Sequence, residues 1–403
     1  MTDSYDVAII GGGILGLSSA RYLLREHPGL RLTVIEKNDE PAAQQTGHNS
    51  GVIHSGIYYR PGSLKAQFCV NGRRSMVEFA EEHDIAYERC GKIIIATREE
   101  ELPRLDTLFE RGQANGVEGL EMVGPERIAE IEPHVVALKA LWSPATAIVD
   151  FAAVTRVYAQ QVSEAGGVVE LGTQVTNLTP RADGIVIETD RGERQAKHLI
   201  NTAGLHADRI ASLMGVEHDL QIVPFRGEYY TLKKDREDLV RGLIYPVPDP
   251  DLPFLGVHFT RNVKGYVEAG PNAVLATARE GYRKRDFNLG DFAETLRFPG
   301  FWRVAAREWR TGINEVNRSL RKSVFTADLQ KMIPEVVSDD LTTGGAGVRA
   351  QAVRRDGTLL DDFAIEQTEQ AVHVLNAPSP GATSSIEIGR HIASLASEAF
   401  SLD

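Results

Sequence analysis

Cysteine is almost missing from this chain. Cys69 and Cys90 are the only two, in unrelated contexts and without a CxxC or Cys/His spacing. That excludes a disulfide framework, leaves no zinc or other metal site to expect, and suits a reducing compartment. Long apolar runs are missing as well: no stretch approaches the ~20 residues that span a bilayer. The first residues, MTDSYDVAIIGGG, are acidic and lead directly into a strand pattern, so no cationic signal segment is expected there. Nor is there an excess of positive charge. With 44 Lys and Arg against 56 Asp and Glu the net charge is −12, spread rather than blocked, and a nucleic-acid partner is not expected because nothing would displace its counterions. Low-complexity tracts and repeats are also lacking. What remains reads as a globular protein of 403 residues, enough for two or three lobes with cores of their own. A cytoplasmic location without a transmembrane segment follows as the expectation, with peripheral attachment to the inner face of the cell membrane left open.

Glycine, by contrast, is placed with purpose near the start. YDVAII is a short β-branched apolar run of the kind that forms a buried parallel strand, and GGGILG follows it at once. Gly11, Gly13 and Gly16 have the GxGxxG spacing, a helical pattern continues, and a second strand, RLTVIE, ends on Glu36 about 20 residues past the last glycine. Each residue type answers a physical need. Gly11 permits the tight turn, Gly13 admits a pyrophosphate to the backbone, and Gly16 lets helix and strand approach. The helix N-terminus offers N–H groups and a partial positive charge, and a carboxylate at Glu36 accepts from a ribose diol while disfavouring a 2′-phosphate.

Two later segments also read as nucleotide-domain material. HLINTAGLHADRIASLMG is a buried strand, a small turn through Ala203 and Gly204, and a helix. VHVLNAPSPGATSSIEIGRHIASLASEAF is a strand, a Pro/Gly turn and a final helix, with Ser384 and Glu387 spaced as a capping box. A helix start supplied by the end of the chain suits a flavin, because its dipole stabilises the negative charge that builds at the N1/C2=O end of the ring on reduction. FAD is therefore the expected cofactor, in preference to NAD.

TGHNSGVIHSGIYY, residues 46–59, combines hydrogen-bonding side chains with glycines that free the backbone. Together with DVAIIGGGILGLSSA, LINTAGLHAD, PFRGEYYTL, PFLGVHFT, GVRAQAV and NAPSPGATSSIEIG, it resembles the D-amino-acid-oxidase superfamily of FAD enzymes, and within it the L-2-hydroxyglutarate dehydrogenase/oxidase family. The resemblance runs from end to end in matching motif order.

That resemblance implies an α/β (α+β) fold: a Rossmann-like FAD-binding domain from 1–85, 145–220 and 330–403, and a substrate domain on a mostly antiparallel sheet from 86–144 and 221–329. It implies FAD contacts at Gly11, Gly13, Ile14, Leu15, Gly16, Glu36, Lys37, Thr46, His48, Asn49, Ser50, Gly51, Val175, Ala203, Gly204, Gly381, Ala382, Thr383 and Ser384. In the opening loop Asn49 and Ser50 are expected to hydrogen-bond the cofactor, and Gly47, Gly51 and Gly56 to let the backbone bend against the ring. The substrate implied is a small dicarboxylate hydroxy acid, and the electron acceptor a membrane quinone or oxygen. Arg349 in GVRAQ matches the position that holds a substrate carboxylate, and a guanidinium suits it by binding bidentately. His54 and His258 are the two choices for the base that takes the hydroxyl proton. Tyr58 and Tyr59 offer hydrogen bonds, and alternation along an extended segment would bring only one to the substrate. Arg226, Tyr245, Thr260, Arg279 and Tyr282 are expected around the distal carboxylate. Two rival readings keep the flavin: an amine or amino-acid oxidase of the same superfamily, and a non-catalytic redox module.

Overall fold

The computed structural model describes residues 3–249 and 255–402. Two sheets carry the architecture. The first, of eight strands, is built on Asp3–Ile10, which pairs in parallel with Leu32–Ile35 on one side and with Gly192–Asn201 on the other. Val168–Glu170 and Ala371–Asn376 extend it in parallel, and the hairpin Val175–Arg181/Gly184–Thr189 closes one edge. Val7, Ala8, Ile9 and Ile10 are all buried, which is why YDVAII reads as a continuous apolar run instead of alternating. Helices Ile14–Glu26, Phe151–Glu164 and Ser385–Phe400 pack together on one face. Their closeness is set by a small residue, since a Cβ on Gly389 would lie 2.2 Å from Ser18 Oγ.

The second sheet has nine strands and is mostly antiparallel, with one parallel pair between Leu243–Pro246 and Lys92–Ala96. Its longest ladder joins Leu220–Leu232 to Leu341–Arg354, running from Leu220↔Arg354 to Leu232↔Leu341 with a one-residue register shift between Glu228 and Tyr230. This corrects one expectation. The resemblance places 330–403 in the FAD-binding domain, but 341–354 pairs with the second sheet, and Met332, Ile333, Val336 and Leu341 bury in that sheet's core. The alternation of 341–354 is weak because one face meets the cavity described below.

A third, three-stranded element, Val52–Ile53, Ala147–Val149 and Tyr87–Glu88, holds the 46–59 loop between the two sheets. Among the described residues no helix is long and apolar enough to cross a membrane. Pro253 and Phe254 of the PFLGVHFT motif lie outside the described residues.

Candidate active site

One cavity of about 1470 Å³ runs from the carboxyl ends of the parallel strands to the second sheet. That exceeds what a drug-sized ligand needs and leaves room for a dinucleotide with a substrate beside it.

The nucleotide end is made mostly of backbone. Gly11 takes φ +109°, and a Cβ there would sit 2.6 Å from the Thr202 carbonyl oxygen. Gly13, Ile14 and Leu15 put the helix start on the wall. Gly13 has no side chain to cap that helix; Thr46 Oγ1 does it instead, accepting from the Ile14 N–H at 3.2 Å. Glu36 fixes the turn from the side: one carboxylate oxygen accepts from the Gly12 N–H at 2.7 Å, the other from the Asn38 N–H at 2.9 Å and the Asn38 amide at 2.6 Å. Three of the carboxylate's acceptor sites are thus used, and the oxygen bonded to Gly12 keeps lone-pair capacity for a diol. Lys37, Val175, Ala203 and Gly204 complete this end. A glycine cradle at a helix N-terminus beside an acceptor carboxylate fits the pyrophosphate and ribose of FAD.

The other end is made of side chains delivered by distant segments. The C-terminal turn docks onto the 46–59 loop through Thr383, whose Oγ1 accepts from the His54 N–H at 3.1 Å and donates to the Val52 carbonyl at 3.1 Å. The strand Leu341–Arg354 crosses the same loop, so closely that a Cβ on Gly347 would lie 2.4 Å from the His48 carbonyl oxygen. Arg349, two residues on, thereby reaches the cavity wall with His54, Tyr58, Tyr59, Tyr229, Tyr245 and His258. Burial pulls the Arg349 guanidinium below its ordinary pKa, and the Tyr229 phenol and Glu315 carboxylate work against that shift; it stays charged.

His258 Nδ1 donates to the Gly256 carbonyl at 2.9 Å, which assigns the lone pair to Nε2. Burial and the nearby Arg349 and Lys92 charges push its pKa down to about 4, against the Gly256 hydrogen bond. His54 is pushed to about 3 by burial, Lys92 and His258, and its buried Nδ1 has no hydrogen-bond partner among the described residues. Both imidazoles are neutral at neutral pH. Burial likewise holds Tyr58 and Tyr59 well above the usual phenol range, so both remain donors. The Tyr58 hydroxyl has no partner among the described residues.

The family described as FAD dependent oxidoreductase matches residues 6–395. The chain belongs to that family. It is 49% identical over 386 residues to an L-2-hydroxyglutarate dehydrogenase of Indibacter alkaliphilus, covering 96% of this chain and 97% of the relative. It is 46% identical to the protein of that name in Escherichia coli K12, covering 97% and 92% of the two chains. Among solved structures, a dithionite-reduced L-α-glycerophosphate oxidase from Mycoplasma pneumoniae with FAD bound superposes with a TM-score of 0.79 at 22% identity, over 98% of this chain and 94% of that one. FAD is the cofactor of this oxidoreductase, as the family's description states.

For this FAD-dependent oxidoreductase several expected site residues need correction. Gly16 does not line the cavity; its missing side chain serves packing, since a Cβ would meet the Gly11 carbonyl at 2.1 Å. Gly51, at φ +69°, faces the Val149 carbonyl at 2.8 Å, and Gly47 and Gly56 likewise abut protein atoms, so none of the three is shaped by the cofactor. Asn49 lines the cavity, but its amide donates to the Gln45 and Thr46 carbonyls and its carbonyl accepts from Gly51, leaving it a loop brace. Ser384 is buried off the wall and caps nothing: its backbone is already near-helical, at φ −91° and ψ 6°, and Glu387 pairs instead with Ser75 and Arg390.

On the substrate side, Arg226 points away from the cavity. Strand alternation puts Gly227 and Tyr229 on the wall and sends Arg226 to the opposite face, where it pairs with Glu228 at 2.9 Å. Thr260 is buried beside Tyr245 and off the wall. Arg279 is 1% exposed and neutralises Asp208 under a helix start, and Tyr282 donates to Gln44 and stacks on His48 at 4.2 Å. Tyr58 and Tyr59 both reach the cavity, because residues 56–59 turn and alternation does not apply.

Sequence reading missed Lys92. It opens the strand KIIIA, is 1% exposed, and sets its ammonium 4.6 Å from the Tyr58 ring centre and 5.2 Å from that of Tyr245. Burial pushes its pKa down to about 8. A lysine inside an otherwise apolar buried strand was the available signal. Lys65 and Arg111, which do line the wall, were also unforeseen.

Proposed function

We propose that this chain oxidises L-2-hydroxyglutarate to 2-oxoglutarate and passes the electrons to a membrane quinone or to oxygen. The observation that carries the reading is the convergence of Arg349, Tyr58 and a neutral, oriented His258 on one wall of the cavity that begins at the glycine cradle. The names of its relatives point to the same substrate.

Arg349 binds the carboxylate next to the hydroxyl as a two-pronged donor, and the unpartnered Tyr58 hydroxyl adds a third hydrogen bond. Lys65 and Arg111 supply positive charge for the second carboxylate. His258 Nε2 takes the hydroxyl proton, its ring held by the Nδ1 bond to Gly256 and by the Tyr245 ring at 3.9 Å. His54, docked by Thr383 to the cofactor side of the loop, positions that wall. FAD, when bound, would supply the two-electron acceptor for the hydride that leaves C2. Attachment to the inner face of the cell membrane would give the enzyme its quinone.

Anaerobic addition of each enantiomer to the FAD-loaded protein tests the substrate. The L-form is expected to bleach the flavin band and the D-form to leave it; bleaching by glycine or sarcosine instead would reassign the chain to amine oxidation. Reoxidation by air and by a quinone analogue then ranks the acceptors.

A further inference from the structure

We propose that the helix Pro299–Leu320 docks this protein on an anionic phospholipid bilayer. The chain as a whole is acidic, yet residues 283–322 carry ten Lys and Arg against five Asp and Glu. Within that stretch the helix buries only Gly300 and Val304. Trp302, Trp309, Ile313, Val316 and Leu320 are each between 50% and 75% exposed. At 3.6 residues per turn their intervals place all five on a stripe roughly 60° wide. The helix bends at Glu308 (φ −103°, ψ 16°), and the regular part beyond the bend carries four of the five.

A surface helix ordinarily turns its apolar stripe toward its own core, because exposure of large side chains gains nothing. Here the stripe faces outward and is flanked on one side by cations. Arg303 and Arg310 are exposed about a quarter-turn from it, and the Arg310 guanidinium lies 5.2 Å from the Trp309 ring centre. Tryptophan on an apolar face with arginine beside it is the composition of a helix lying in a membrane interface, where the rings sit at headgroup depth and the guanidinium groups meet phosphate. A second copy of the chain fits less well. A twofold interface would set this patch against itself and bring like charges together. None of the five apolar residues lines the cofactor cavity, so docking leaves the site free. The inference shares with the proposed function the attachment to a membrane, for which it supplies the surface, and it stands if the substrate reading fails.

Flotation of the FAD-loaded full-length protein with vesicles tests it. Binding to vesicles containing phosphatidylglycerol is expected to be at least about tenfold tighter than to pure phosphatidylcholine, with a blue shift of tryptophan fluorescence. Trp309→Ser/Ile313→Ser/Leu320→Ser should weaken binding about tenfold or more. Arg303→Glu/Arg310→Glu should abolish the preference for anionic lipid. Both variants should keep L-2-hydroxyglutarate turnover with a soluble dye. Failure of the native protein to float with either vesicle, or equal flotation of the triple-serine variant, would overturn the proposal. So would a concentration-dependent dimer that the serine variant dissolves, since it would assign the stripe to a second copy. Vesicle binding without turnover would refute the proposed function and leave the docking surface intact.

Discussion

The two ends of the cavity recognise their ligands by different means. At the nucleotide end, glycines, a helix start and one carboxylate present mainly backbone, and its phosphate and ribose contacts centre on residues 11–46. At the substrate end, Tyr58, Tyr245, His258 and Arg349 come from four separate stretches and act through their side chains. A backbone site is encoded by short spacing along the chain. A side-chain site exists only after both sheets have formed.

If the ends are separable, damage to one should spare the other. The largest effect expected is at Arg349. Replacement with methionine should lower kcat/KM about a thousandfold, on the order of 4 kcal/mol, because a desolvated carboxylate loses its partner. Flavin content should not change, and Arg349→Lys should recover only part of the activity. Loss of flavin together with activity would show that the two ends are one unit. Gly16→Ala attacks the other end. Its Cβ would meet backbone at 2.1 Å, so strand and helix must part, at a cost of about 2 kcal/mol measured by thermal melting. The isolated protein should contain less flavin, while whatever holoenzyme survives should turn over normally.

Lys92 sharpens the comparison because it lies behind the wall and contacts the site through Tyr58 and Tyr245. Its pKa is pushed from 10.5 to about 8. Between those values the unfolded chain holds a proton that the folded chain does not, so native stability should rise with pH across that window. Lys92→Met should erase the rise and stabilise the protein at neutral pH by about 2 kcal/mol. Activity should fall about tenfold, and the acid limb of the kcat/KM profile should move up, since the Lys92 charge helps hold His54 and His258 down. A stabilised variant with unchanged kinetics would reduce Lys92 to a packing residue.

The same contrast explains what the sequence made legible. GxGxxG, Glu36 and the strand YDVAII could be read because strand, turn and helix are local and each residue type has one physical reason to be there. Arg349, His54 and His258 were legible only through motif resemblance. Arg226 and Arg279 were misread because an arginine looks the same in sequence whether it meets a ligand or a buried Asp or Glu; register and burial decide, and both are tertiary. Asn49 and Ser384 show the converse error. Their residue types favour loops and caps, and the structure uses them for bracing and packing instead of for the cofactor.

The smallest effect is expected where the two ends touch. Glu280 belongs to the loop that follows the second sheet, yet its carboxylate pairs with Lys37, accepts from the Gln44 amide at 2.9 Å and meets His206 Nε2 at 2.8 Å. Those contacts, His206 foremost, hold its pKa down to about 2. One carboxylate thus clasps three segments of the nucleotide end, and Tyr282 adds a bond to Gln44 from the same loop. The group is about a third exposed, so solvent screens much of the attraction and the clasp should contribute less than about 1 kcal/mol. Glu280→Gln keeps the shape and removes the charge. FAD release, followed by the rise of free flavin fluorescence after dilution, should quicken a few-fold, and the difference from the native protein should shrink as salt is added. A changed KM for the hydroxy acid at unaltered FAD release would place the clasp with the substrate end, and the division between a backbone site and a side-chain site would have to be redrawn through residue 280.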